Sequence, residues 1–569
     1  MNASAKPAAD TPVDVWARHI KSAVGKFLKT AVVIDNDPQL AEDPFPAEAT
    51  NSSASGGYGL LPEEELVEPS ADEIVKAVEA SVGNSLDVRG ISDSFASHGM
   101  ACAFVLPHNQ DTDVESIKRR VVSSAKTADI LIVDWHLRPH SSGLTIEVLK
   151  EVAEADLLEG GRLRLICIYT GENLSVDILN EVKRGLTVDG VVFQDVEPIN
   201  EFGFVARSET SLVVLANKDS IPAKFLPAKL VDAFSELANG IIPAFALAAI
   251  GAVRKNTHHM LTRFGKSLDS AYIANRLITD PPGDVAELMR ELLVAECDNA
   301  IGLDSVADEY LEPSVIKKWL DVNSPREVAA GDLNINRDLI DSMLLNGVSD
   351  GCVRLPCGAS RKFPESHRHR VSQSLVSEDA EAASHENEFS RLVAFRREAF
   401  GGSVSYPSDT WLPSLTTGSL LKLIGADGPA RYFLCFTPAC DAVRIKKERP
   451  FVFVEGQESS KPYSLVSKSE TGESIGLYFD KTYPKVSTYL FNSDETRRVR
   501  ADKEEINGQE MFVFNTAGQN PAKFLWLGDM RYGRAMSEMA SLASRWMRIG
   551  ILDSEYLRLA GKKYFGFSV

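Results

Sequence analysis

Cysteine is scarce in this chain, with seven among 569 residues. So few thiols, odd in number, do not make a disulfide framework, and they point to a reducing cytoplasm. No uninterrupted apolar run is long enough for a transmembrane helix. Residues 1–12 lack the basic-then-apolar order of a secretory signal. Positive charge is short as well. A formal net charge of −19 argues against broad attraction to nucleic acid or to an anionic membrane. A Gly-rich nucleotide loop is missing, and no internal repeat of fixed period occurs. These absences leave a soluble cytoplasmic protein, for which 44% hydrophobic and 25% charged residues are ordinary.

The length allows roughly three or four domains at about 150 residues each. Val13, Trp16, Ile20, Val24, Phe27 and Leu28 recur near a period of 3.6, so residues 1–27 are a tail and an amphipathic helix. An apolar strand ends at Asp35. The Ala-, Pro-, Glu-, Ser- and Gly-rich stretch that follows is an inserted loop at about 38–71. From 72 onward helices and strands alternate. Helices are predicted at 72–82, 91–99, 113–127, 143–155 and 174–184, and strands at 101–106, 128–134, 163–169, 190–193 and 211–216. Repeated strand–helix units imply a parallel sheet with right-handed crossovers, here over 28–240. Residues 241–356 read as a helical connector and 357–390 as a polar linker. Residues 391–569 hold short alternating strands at 419–424, 431–436, 451–454, 475–479, 487–491, 510–514 and 524–527, then closing helices at 531–549 and after 553. That spacing predicts a small β barrel or sandwich.

Two strands carry the functional signal. Ala-Val-Val-Ile-Asp-Asn-Asp at 31–37 and Ile-Leu-Ile-Val-Asp-Trp-His-Leu at 130–137 both run from apolar residues into an acid. Ligands of a parallel α/β sheet collect at the carboxyl ends of its strands. Side by side, these ends form an acidic pocket suited to a hard cation.

With Thr170 ending the next strand and Lys218 the last, the series resembles the receiver domain of response regulators in two-component signalling. The resemblance implies a flavodoxin-like α/β fold. It implies Asp134 as phosphoacceptor, Asp35, Asn36, Asp134 and the backbone carbonyl of His136 as Mg²⁺ ligands, Thr170 as the switching hydroxyl and Lys218 as the phosphate-pairing cation. It also implies a histidine kinase or related ATPase as phosphodonor. Such a cation screens the repulsion between carboxylate and phosphoryl donor, and the added charge reorganises a neighbouring face. Two departures stand out. Asn36 takes the place of a second acid, and Lys218 is followed by Asp219 instead of proline, at a longer spacing from Thr170. The remainder of the chain resembles only the tails of long, atypical receivers, some of them in bacterial stress or phage-defence operons.

Other groupings carry less. Cys352, Cys357, His367 and His369 have the ligand types for zinc without its usual spacing, in a segment that also reads as a basic solvated loop. Cys435 and Cys440 read as structural thiols. His258 and His259 sit on a predicted helix at 247–264 that also serves as a packing or dimerising element. No helix-turn-helix follows the receiver-like region. The expectation is a receiver that switches protein contacts of a non-DNA-binding C-terminal half. A phosphorylation-independent adaptor, or an enzyme with its site near Cys440 and Asp441, stands as the alternative.

Overall fold

The computed structural model describes residues 10–39, 85–107, 113–188, 191–280, 282–401, 410–425, 428–460 and 463–546. It divides into two compact units. The first comprises Met1–Gly265 with Leu293–Ser324, and the second Lys266–Leu292 with Pro325–Val569.

Unit one is built on a seven-stranded sheet: β1 Thr30–Ile34, β2 Ala101–Val105, β3 Ile130–Val133, β4 Arg164–Thr170, β5 Gln194–Val196, β6 Val205–Arg207 and β7 Ser211–Asn217. Their spatial order is β2-β1-β3-β4-β7-β6-β5. The first five are parallel, and β6 and β5 extend the edge antiparallel. The central strands are continuous Val, Ile and Leu runs because both faces of the sheet are covered. Side chains alternate between two layers. Ala31, Val33, Ile130, Ile132, Leu165 and Cys167 enter one core, while Val32, Ile34, Leu131, Val133, Ile166 and Ile168 enter the other. Helices α2 Val88–Ser97 and α6 Leu226–Leu237 cover the first face. Helices α3 Val114–Ala125, α4 Gly143–Leu158 and α5 Val176–Leu186 cover the second.

Helix α1, Pro12–Phe27, opens with a capping box between Thr11 and Asp14 and buries Trp16, Ile20, Ala23 and Val24. These join the same core as α6, α7 Ile241–Lys255 and the helix Pro313–Val322. Trp16 Nε1 donates to Asn239 Oδ1 at 2.9 Å. A Cβ on Gly251 of α7 would lie 2.6 Å from the Lys26 carbonyl oxygen, so only glycine permits this approach. Residues 12–27, read from sequence as a separate tail and helix, are therefore packed into unit one.

Unit two holds a ten-stranded antiparallel sheet. From one edge its strands are Leu465–Lys468, Ser474–Tyr478, Glu448–Glu458, Arg431–Cys435, Ser419–Leu423, Lys523–Met530, Gln509–Asn515 and Asp502–Ile506. Phe395–Glu398 adds to Lys523–Met530, and Val486–Asn492 adds to Glu448–Glu458. A bridge between Phe491 and Thr516 draws distant strands together and curls the sheet into a half-barrel. One face carries an aromatic core around Phe433, Phe453, Phe524 and Trp526. The other is closed by the helix Tyr532–Trp546 through Ala535 and Leu542. The β-rich half with a closing helix follows the expectation.

Residues 241–356, read from sequence as a helical connector, are divided between the two units and also carry the strands Val328–Ala330, Leu333–Ile335, Val348–Ser349 and Cys352–Arg354. The strand expected at 190–193 lies instead at Gln194–Val196, where it pairs with β6. The predicted helix 247–264 is two helices, Ile241–Lys255 and Thr257–Arg263, broken at Asn256. Residues 357–390 are not a bare linker. They contain the strand Ser360–Lys362, which closes a three-stranded sheet, and the helices His369–Ser374 and Asp379–Ala394. The last of these starts with a capping box at Glu378 and Glu381, which supports a helix in spite of its polar composition. The helices expected at 72–82 and after 553 lie outside the described residues, as does most of the inserted loop at 38–71.

Candidate functional site

Parallel strands all end on the same side, so β1, β3, β4 and β7 gather the residues that follow them. Backbone bonds past the strand ends fix their places. Asp134 N–H donates to the Ile34 carbonyl and Lys218 N–H to the Thr170 carbonyl, both at 2.8 Å. Asp35, Asp134 and Thr170 are almost wholly buried, and Lys218 nearly so. The Lys218 ammonium reaches back across the sheet. It donates to Asp35 Oδ2 at 2.8 Å and lies 3.3 Å from Asp134 Oδ1. The second contact is an ion pair, and among the described residues the buried Asp134 Oδ1 makes no further hydrogen bond.

Two buried carboxylates share one cation, and their acidity reflects it. Burial pushes the Asp134 carboxyl up to about 6, Lys218 opposing the rise and the Asp35 charge adding to it. Burial raises Asp35 too, again against Lys218. The Asp37 N–H donates to Asp35 Oδ1 at 2.8 Å and orients that carboxylate, while the Asp37 side chain is itself exposed. Asn36 is partly buried beside it. Thr170 Oγ1 accepts from the Glu172 N–H at 3.1 Å, and among the described residues its hydroxyl donates to no partner.

The longer spacing from Thr170 to Lys218 has a structural cause. The β5–β6 hairpin lies between α5 and β7, so β7 reaches its place beside β4 despite the extra residues. All of the residues proposed from sequence are therefore brought to one end of the sheet, His136 by position in the chain after Asp134. The His136 side chain turns to Glu172, with Nε2 2.8 Å from Oε1.

The sequence reading missed two participants. Thr145 on α4 is fully buried, and its hydroxyl lies 3.0 Å from the Asp134 carbonyl and 2.9 Å from that of Trp135. It thereby holds the turn that presents Asp134. Glu172 pairs with His136 and anchors the loop after β4. Neither stands in a motif, since a helix threonine and a loop glutamate acquire these roles only through tertiary contact. Thr145→Val keeps the shape and removes the hydroxyl. It is expected to cost about 1–3 kcal/mol, from carbonyls left unsatisfied in a buried turn, read as a lower midpoint in urea unfolding.

Among the described residues, no group of three or more His, Cys, Asp or Glu side chains comes together as a metal site. Cys352 lies on a strand, Cys357 is exposed, and the His367 ring packs against Gly331, so the zinc grouping is not assembled. The donor set at the sheet end still fits Mg²⁺, which takes one or two carboxylates and otherwise water and phosphate oxygens. Asp35 and Asp134 supply the carboxylates, and apart from its ion pair with Lys218 the buried Asp134 Oδ1 has no partner among the described residues. Elsewhere, burial pushes the Cys435 thiol up to about 12. Cys440 is exposed, and Asp441 is held by Arg449 at 2.9 Å. His258 and His259 are exposed, with ring centroids 3.9 Å apart. No helix among the described residues is long and apolar enough to cross a membrane.

No curated protein and no solved structure matches this chain. The family model of the response receiver domain matches residues 27–222, a span that begins just before β1 and ends just after Lys218. Sheet order and acidic strand ends agree with this match, so residues 27–222 are similar to the response receiver domain.

Proposed function

We propose that Asp134 accepts a phosphoryl group from a partner histidine kinase or related ATPase, and that the change switches protein contacts of the C-terminal half. The observation that carries this reading is the Asp35–Lys218–Asp134 arrangement, in which one buried ammonium donates to Asp35 and forms an ion pair with Asp134. A carboxylate oxygen of Asp134 attacks the phosphorus of a phosphohistidine. The P–N bond breaks, the imidazole takes up a proton from solvent, and an acyl phosphate forms on Asp134. Lys218 pairs with the new phosphoryl oxygens as a point charge. Thr170 donates its hydroxyl proton to one of them. Asp35, Asn36, Asp134 and the His136 carbonyl would hold Mg²⁺, which would neutralise charge on the phosphoryl group.

Movement of Thr170 would pull on Glu172, and through it on His136. The signal thus leaves by the loops after β3 and β4. With Mg²⁺ and beryllofluoride, amide exchange over residues 134–145 and 170–176 should slow. An exchange pattern identical to that of the untreated protein would contradict the switch. Asn36 favours a second reading, because it removes one charge from the expected acidic pair. On that reading the domain is an adaptor that binds protein partners without phosphate, and the unchanged pattern is its expected result.

A further inference from the structure

We propose that unit two binds the phosphate group of a small phosphate monoester through the guanidinium groups of Arg290, Arg396 and Arg397. Sheet geometry sets two of the three. Where Phe395–Glu398 pairs with Lys523–Met530, Phe395 lies opposite Met530 and Arg397 opposite Asp529, so Arg396 is an extra residue in the ladder. Such a bulge breaks the strict alternation of side chains and re-aims those it carries. Phe395 and Met530 enter the core beneath the closing helix. Arg397 instead stacks over Trp411, its guanidinium 4.8 Å from the ring centroid. Trp411 is set edge-on against Phe512 and Trp526, at 5.9 and 5.8 Å. Stacking of this kind occupies the face of the guanidinium and not its edge, which carries the N–H donors. Arg290 lies on the helix Gly283–Leu303. The start of that helix is tied to the same unit by Arg497 with Asp280, at 2.7 Å, and by Arg498 with Glu287, at 3.1 Å.

The acids nearest Arg397 are already engaged. Glu287 holds Arg498, and Asp529 Oδ1 accepts from Ser419 Oγ at 2.8 Å and from Trp526 Nε1 at 3.1 Å. None of the three arginines makes an ion pair or a side-chain hydrogen bond among the described residues. Burial holds the Arg397 guanidinium below its ordinary value. The charges of Arg396 and Arg290 push the same way, against Asp529 and Glu287. Gathering like charges is unfavourable until an anion offsets them. The residue type narrows the anion, since a planar fork matches carboxylate and phosphate oxygens. One fork satisfies a carboxylate. A phosphate monoester carries about −1.5 to −2 charges and three strong acceptor oxygens, which suits three forks.

The probe is phenyl phosphate, titrated into the full chain in EDTA at low salt with calorimetric readout. One saturable site is expected, weakened by added salt, with benzoate at least tenfold weaker. Arg290→Gln combined with Arg396→Gln should weaken binding at least tenfold. Both positions are exposed, so this variant should keep the melting temperature of the parent. Arg397→Lys keeps the charge but loses the fork, and should weaken binding at least fivefold. AMP should displace phenyl phosphate. Absence of binding, benzoate as tight as phenyl phosphate, or undiminished affinity in the Arg290→Gln, Arg396→Gln variant would overturn the proposal. So would a phosphoserine heptapeptide that binds more than tenfold tighter than AMP, which would assign the arginines to a phosphorylated protein partner.

Discussion

Lys218→Met is expected to lower the stability of unit one by about 3–5 kcal/mol at pH 8, the range for breaking a buried ion pair by removing one partner. Methionine matches the length of the lysine stem and fills the same space, so lost packing contributes little. What remains is a pair of buried carboxylates, Asp35 and Asp134, facing each other without the cation that now lies 2.8 Å from one and 3.3 Å from the other. The deficit should shrink towards pH 5. Without Lys218 both carboxyls hold their protons more tightly, and protonation removes the repulsion. Urea unfolding at the two pH values checks both the size and the trend. A variant as stable as the parent at pH 8 would mean that the lysine does not neutralise the pocket.

Asp134→Asn should act in the opposite direction and raise stability. Burial lifts the folded-state pKa of Asp134 from an ordinary value near 3.8 to about 6. Between those values the folded protein keeps a proton that the unfolded chain has lost. The slope of stability with pH is then negative, so this carboxyl's unfavourable contribution grows as pH rises from about 4 to about 6 and is complete above that. Asparagine is neutral throughout. The variant is expected to gain on the order of 1–3 kcal/mol at pH 8, and the gain should vanish by about pH 4. Lys218 stays paired with Asp35 in the variant, so no new orphan charge offsets the gain. Thermal melting in EDTA, where no cation can compensate the carboxylate, is the measurement.

These expectations rest on residues that were largely legible before the fold. The runs ending in Asp35, Asp134 and Thr170 announce themselves because buried parallel strands are apolar to their last residue and the first polar side chain marks the pocket. Lys218 was harder to place. Its distance in sequence reflects the β5–β6 hairpin, whose strands Gln194–Val196 and Val205–Arg207 are too short to show a pattern. Thr145 was invisible, since on α4 it reads as one more helix residue until the turn from Asp134 folds over it. In unit two most of the large-sheet strands were readable, but Phe395–Glu398, Leu465–Lys468 and Asp502–Ile506 were not. The first and last of these are mostly charged and lie where one side meets water, which dilutes the alternation that marks a strand. The helix Asp379–Ala394 was hidden by its polar face, although its capping box is written in Glu378 and Glu381.

The geometry also recasts the Asn36 departure. The pocket already balances two carboxylates against one lysine, and an additional acid would add a further negative charge. On the proposed function, Asn36 would weaken cation binding while relieving repulsion at the end of β1. Mg²⁺ dependence of any modification should consequently be steep, with little reaction at low Mg²⁺.

The most direct measurement is the intact mass of the full chain after incubation with acetyl phosphate and Mg²⁺, alongside Asp134→Asn and Lys218→Met. A mass increase of one phosphoryl group is expected in the parent, lost on brief alkaline treatment as an acyl phosphate should be, and absent from Asp134→Asn. An unmodified parent, or a phosphoryl group that persists in Asp134→Asn, would contradict it.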